Sequence, residues 1–154
     1  MRRHSAFIPL SREHHDGLLL AARLQQGHKA LLKLWSHDLN WQAEYIEKFF
    51  NDNLERHFQV EENILFPVAH STISDRAVLV QHLLDEHKYM TSMIEYFRHP
   101  NQIDLAKTLK SFGKTLEDHI HSEERELFPI CEQNIPEEKL AELGKSIKHY
   151  LKGV

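Results

Sequence analysis

The sequence predicts an all-α protein: an up-down-up-down four-helix bundle with a short additional C-terminal helix. Three observations carry that expectation. Apolar residues recur at three- and four-residue spacing through four long segments, and no segment shows the alternation that a half-buried strand needs. Breaks at Gly27, Pro67, His99-Pro100 and Pro129 separate or close those segments. One pattern, H-x-x-x-E-E-x-x-L-F-P, occurs in the second segment (His57 to Pro67) and again in the fourth (His119 to Pro129), so the chain reads as two helix pairs.

Taken in order, residues 1–10 form an irregular lead-in. Ser11 suits an N-cap, and Glu13 lies in the first turn where the helix dipole favours an acid. Helix one is expected from Ser11 to Gln26, with Gly27 as its stop and His14, Leu18, Ala21 and Leu24 along its inward stripe. Residues 28–39 are expected to connect with partial helicity, built on Leu31, Leu32, Leu34 and Trp35. Helix two runs from about Trp41 to Leu65, with Ile46, Phe50, Leu54, His57, Glu61 and Leu65 near one face. Pro67 is expected to end or kink it, since proline removes a donor and crowds the preceding turn. After a turn at Ser71 to Asp75, helix three extends to about Arg98 with Val80, Leu84, His87, Thr91 and Ile94 in line. Helix four runs from about Ile103 to Leu127 through Leu105, Leu109, Phe112, Leu116, His119 and Glu123, and Pro129 closes it. Pro136 opens a terminal helix from about Glu137 to Leu151, a position where proline is well tolerated. The expectation is one domain over residues 1–154, the bundle at about 11–130 and the terminal helix at about 136–151.

Composition narrows the function classes. Lys and Arg number 19 against 23 Asp and Glu, with no basic run, which argues against a nucleic-acid or anionic-membrane partner. The single cysteine, Cys131, excludes an internal disulfide and a thiolate zinc cluster, and reads as a small buried hydrophobe. The start Met1-Arg2-Arg3 is followed by an apolar run too short for a signal peptide or a membrane span, and the expectation is a soluble cytoplasmic protein. Thirteen histidines are the one anomaly.

Those histidines organise the candidate site. Residues four apart on a helix share a face to within about 40°, so His57 with Glu61, and His119 with Glu123, each present an imidazole and a carboxylate one turn apart. Helices one and three add a second repeated element, Glu13-His14 and Glu86-His87. Both halves thus offer two histidines and one glutamate: His14, His57, Glu61, His87, His119 and Glu123. Burying such carboxylates unpaired costs several kcal/mol, and a metal pair neutralises them directly. Imidazole and carboxylate suit iron or manganese as well as zinc. His15 remains an alternative to His14, because Leu18 and Leu19 allow either rotation, although the repeat with Glu86-His87 favours His14. Glu62 and Glu124 lie about 100° from the carboxylates that precede them and read as solvated groups or as partners of the ligands. His4, His15, His28, His37, His70, His82, His99, His121 and His149 are assigned no site role.

At these residues the chain resembles the hemerythrin-like family, also called the HHE cation-binding domain, from about Leu10 to Pro129. That resemblance implies two iron ions joined by an oxo or hydroxo bridge. In that picture Glu61 and Glu123 span the irons and His14, His57, His87 and His119 cap them. The oxygen-carrying members are similar but place a fifth histidine four residues after the third-helix ligand, where this chain has Thr91, and their last-helix carboxylate is typically an aspartate spaced one residue further along, whereas here it is Glu123. The four-His, two-Glu set is more similar to the di-iron domain of iron–sulfur cluster repair proteins, without the cysteine-bearing segment that precedes that domain. Counting ligands leaves each iron with an open position, which suits reaction with dioxygen, nitric oxide or peroxide in sensing, detoxification or iron handling better than reversible carriage. The alternatives are a reversible oxygen carrier and a metal-dependent regulatory module whose terminal helix (Leu140, Leu143, Ile147) would meet a protein partner.

Overall fold

The structure, a computed structural model, describes residues 2–26 and 34–152. It contains α1 (Ile8–Gln26), α2 (residues 39–72), a single 3-10 turn (Ser74–Arg76), α3 (Ala77–Arg98), α4 (residues 105–134) and α5 (Glu137–Leu151), with no strand among the described residues. The long helix α1 packs along α4, α2 packs along α3, and α5 lies against the middle of α2. The result is a four-helix bundle with a short fifth helix. No helix is long and apolar enough to cross a membrane among the described residues.

Helix α2 begins at a side-chain cap. Asp38 caps α2 by accepting from the Trp41 backbone N–H at 2.9 Å. Just before it, Leu34 takes a left-handed backbone (φ 59°) and turns the chain so that Trp35 enters the core beside Trp41 and Tyr45. Residues 34–38 are not helical, and the remainder of the expected partly helical connection, with Gly27, lies outside the described residues. Helix α1 starts at Ile8 rather than Ser11, because Pro9 occupies its first turn, where its missing N–H costs nothing.

The prolines of the repeated motif do not end their helices. In each copy the stretch E-E-x-x-L forms a π-helical turn, Glu61–Leu65 in α2 and Glu123–Leu127 in α4, and the chain continues helically to Thr72 and Asn134. The Phe66 N–H donates to the Glu61 carbonyl and the Phe128 N–H to the Glu123 carbonyl, five residues back instead of four. Each proline therefore follows a turn whose hydrogen-bond register has already shifted, and the widened turn accommodates a residue that lacks a donor. A third such turn, Phe50–Leu54, lies earlier in α2.

Two apolar clusters fill the bundle, and the candidate site lies between them. One gathers residues such as Leu24, Ile46, Phe50, Met90 and Phe112. The other joins Phe7, Leu10, Leu65, Leu83 and Phe128 to Leu140, Leu143 and Ile147 of α5. Those α5 residues are buried, so the terminal helix docks on its own bundle, and each contributes about 1.5–3 kcal/mol by leaving water. The apolar patch that would have supported a regulatory module is covered. In α3 the inward stripe runs through Leu83 and Met90, whereas Leu84 is half-buried and Thr91 is exposed.

Candidate metal centre

Four helices each deliver one or two polar side chains to a layer otherwise built of apolar groups. His14 from α1, His57 and Glu61 from α2, His87 from α3, and His119 and Glu123 from α4 are all buried. Their ligand atoms form two groups, His14 with His57, Glu61 and Glu123, and His87 with His119, Glu61 and Glu123. Within each group the atoms lie within 4.8 Å of one another, and the two groups share both carboxylates. His14 turns inward while His15 is exposed, which resolves the rotation of α1.

A carboxylate holds the outer nitrogen of every histidine. His14 Nδ1 lies 2.6 Å from Glu124, His57 Nδ1 2.8 Å from Glu13, His87 Nδ1 2.8 Å from Glu62, and His119 Nδ1 2.9 Å from Glu86. The scheme follows the repeat. The acid before each odd-helix histidine takes the even-helix histidine of its own half, and the second acid of each E-E pair reaches the odd-helix histidine of the other half. With Nδ1–H donating outward, the tautomer leaves each Nε2 lone pair facing the centre. The sequence signal for Glu13 and Glu86 was the repeated Glu-His dipeptide. Its meaning was missed because the glutamate serves a histidine on a neighbouring helix, not the one beside it in sequence.

The inner atoms are crowded in a way that hydrogen bonds alone do not satisfy. His14 Nε2 and His57 Nε2 stand 3.1 Å apart, as do His87 Nε2 and His119 Nε2. At that separation no more than one nitrogen of each pair carries a proton. His14 Nε2 is 2.9 Å from Glu123 Oε1 and His57 Nε2 is 3.2 Å from Glu61 Oε2. Even so, Glu61 Oε2 and both Glu123 oxygens are buried without a hydrogen-bond donor aimed at them. Converging lone pairs and orphaned carboxylate oxygens in a dry layer fit cations bound between them.

The ionisation tendencies agree. Burial resists a charge on His57, but Glu61, Glu13 and Glu123 outweigh it and raise its pKa to about 10. Burial likewise opposes protonation of His14, His87 and His119, and the glutamates around them reverse the sign and raise all three. Burial also opposes ionisation of Glu61, yet His57 and hydrogen bonds within the cluster hold it well below the usual carboxylate range. The cluster attracts positive charge, whether from protons or from metal. Cys131, by contrast, is buried in the apolar cluster with its thiol pushed up to about 12 by desolvation, and has no part in the site.

Rings pack over the histidines. Phe58 stacks on His87 with centroids 3.9 Å apart, Phe66 covers His87 at 5.5 Å, and Phe128 stacks on His14 at 5.7 Å. A small cavity with space for about one water-sized molecule touches His14, His57 and His119 and is walled by Gly17, Leu54, Phe58 and Ile120. The histidines outside the site behave differently from one another. His15, His70, His82, His99 and His149 are exposed, whereas the half-buried His4 bonds Glu137 at 3.0 Å.

A family model described as Hemerythrin HHE cation binding domain matches residues 6–131. Comparison with curated proteins and with solved structures gives no match.

Proposed function

The chain belongs to the hemerythrin HHE cation-binding family, and from that premise we propose that it carries a non-haem di-iron centre that binds or reacts with dioxygen, nitric oxide or peroxide. His14 and His57 would hold one ion, His87 and His119 the other, with Glu61 and Glu123 shared between them. Manganese meets the same donor set. The observation that carries this reading is the pair of four-residue groups with two carboxylates in common.

Bound iron supplies redox chemistry and coordination positions for a small ligand. The protein's own contribution is arrangement. Glu13, Glu62, Glu86 and Glu124 hold the imidazoles in one tautomer and raise their basicity as donors. The apolar clusters on either side exclude water and strengthen every electrostatic interaction within the layer. The cavity beside His14, His57 and His119 has room for about one water-sized molecule and suits a small ligand rather than an organic substrate.

The test is an optical titration of the anaerobic, ferrous-loaded protein with limited dioxygen, followed by removal of the gas. Irreversible conversion to a diferric spectrum supports reactive turnover, with nitric oxide and peroxide as the next ligands. Return to the reduced spectrum supports reversible carriage instead. A chain that takes up neither iron nor manganese overturns the di-metal reading.

A further inference from the structure

We infer that Arg3, which precedes the bundle, is a positioning residue for the metal position capped by His14, and that it makes the two positions inequivalent. The inference rests on the di-metal reading above. Its observations are separate, and Arg3 lies outside the residues 6–131 that the family model matches.

The starting point is a backbone carbonyl without a partner. In the π turn of α4 the Phe128 N–H donates to Glu123, and the next residue, Pro129, has no N–H to give. The Glu124 carbonyl thus loses both donors that a helix would offer it. Arg3 Nη2 donates to that carbonyl at 2.7 Å. The same nitrogen lies 3.4 Å from Glu124 Oε1, while Nη1 bonds Glu132 at 2.8 Å and the guanidinium sits 5.3 Å from the Phe128 ring centre. The strap is tied down by the His4 backbone N–H, which donates to Glu132 at 2.5 Å.

Glu124 is the acid that holds His14, through Oε2 at 2.6 Å, and the Ser11 hydroxyl donates to the same oxygen at 2.7 Å. Arg3 therefore grips both ends of the residue that orients His14, and the ring of Phe128, which stacks on His14, lies under the same guanidinium. The equivalent acid in the other half, Glu62, has the same proline-shifted turn behind it. Yet it carries no arginine or hydroxyl among the described residues and is 43% exposed, against 24% for Glu124. One outer acid is clamped and the other is loose.

The test uses the full chain, freed of metal and titrated with cobalt(II), whose absorption and paramagnetically shifted imidazole N–H signals report each position. Arg3→Met is expected to weaken one binding step about tenfold and leave the other within about twofold, in the range by which groups behind a ligand tune affinity. The shifted N–H signal of His14 is expected to exchange with solvent faster, with the other three unchanged. Arg3→Lys, which keeps charge but loses the planar fork, falls between. Equal weakening of both steps, or a titration identical to wild type, overturns the proposal alone. A wild-type chain that takes up no cobalt overturns it together with the di-metal reading.

Discussion

The two halves of the site present the same donors behind different walls. Beside His14 the residue one turn on in α1 is Gly17, and the residue after His119 is Ile120, and a cavity opens there that borders His14, His57 and His119. Around His87 the equivalent positions are Met90 and Phe58, and the imidazole is sealed between Phe58 and Phe66. A Cβ on Gly17 would meet Ile120 Cδ1 at 2.8 Å, so glycine and isoleucine are fitted to each other. The repeat preserves donors and helix turns but not packing. Ligand set and ligand access are therefore separable, and the halves can be altered one at a time.

The largest effect is expected where the halves meet. Glu61→Ala or Glu123→Ala removes one of the two carboxylates that both groups share and so weakens both metal positions at once, and metal content by elemental analysis should fall to near zero. His14→Ala or His87→Ala should lose about half of the metal and so distinguish the positions. Retention of full metal in the glutamate variants would end the shared-carboxylate picture.

Opening the sealed half is the next step. Phe58→Ala should destabilise the metal-free protein by about 3–5 kcal/mol in denaturant unfolding. Because Phe58 also lines the cavity, the variant should widen that cavity toward His87, seen as faster azide or nitric oxide binding. Closing the open half by Gly17→Ala should slow that binding several-fold at a stability cost of about 1–3 kcal/mol. Pairing it with Ile120→Val should restore much of both. A Gly17→Ala protein with unchanged ligand kinetics would mean that the cavity is not the route.

The response to pH sharpens the contrast between apo and loaded protein. A histidine whose folded pKa lies above its unfolded value stabilises the fold fully below that unfolded value and loses the contribution as pH rises through the folded one. For His57 the window runs from 6.5 to about 10. The melting temperature of the metal-free protein should therefore decline across that range, while the increment from added metal grows because ligands must lose protons to bind. Parallel pH curves with and without metal would contradict this. The smallest effect is expected from Thr91→His. The side chain is exposed on α3, so metal uptake and spectrum should match wild type.

Much of this architecture is local in origin and was legible. The spacing of Leu105, Leu109, Phe112, Leu116, His119 and Glu123 marks a helix and its buried face together, because a helix of 3.6 residues per turn permits only one face for that set. The same reasoning turned His57 and Glu61 inward. It failed for α3, where Leu83 and Leu84 are equally apolar and only neighbouring helices decide the rotation. It failed also for Pro67 and Pro129, since a proline rule built on the four-residue register does not apply after a five-residue turn.

The sequence by itself determined the long helices, the repeat and the six candidate donors on their inward faces, because all three follow from spacing along one chain. Tertiary structure alone decided which acid holds which histidine, since Glu13 serves His57 and Glu124 serves His14 across helix boundaries. It also decided that Arg3 reaches Glu124 and that a cavity borders His14, His57 and His119 while Phe58 and Phe66 cover His87. Those properties depend on how side chains from different helices fill a common space, and no spacing within one helix records that.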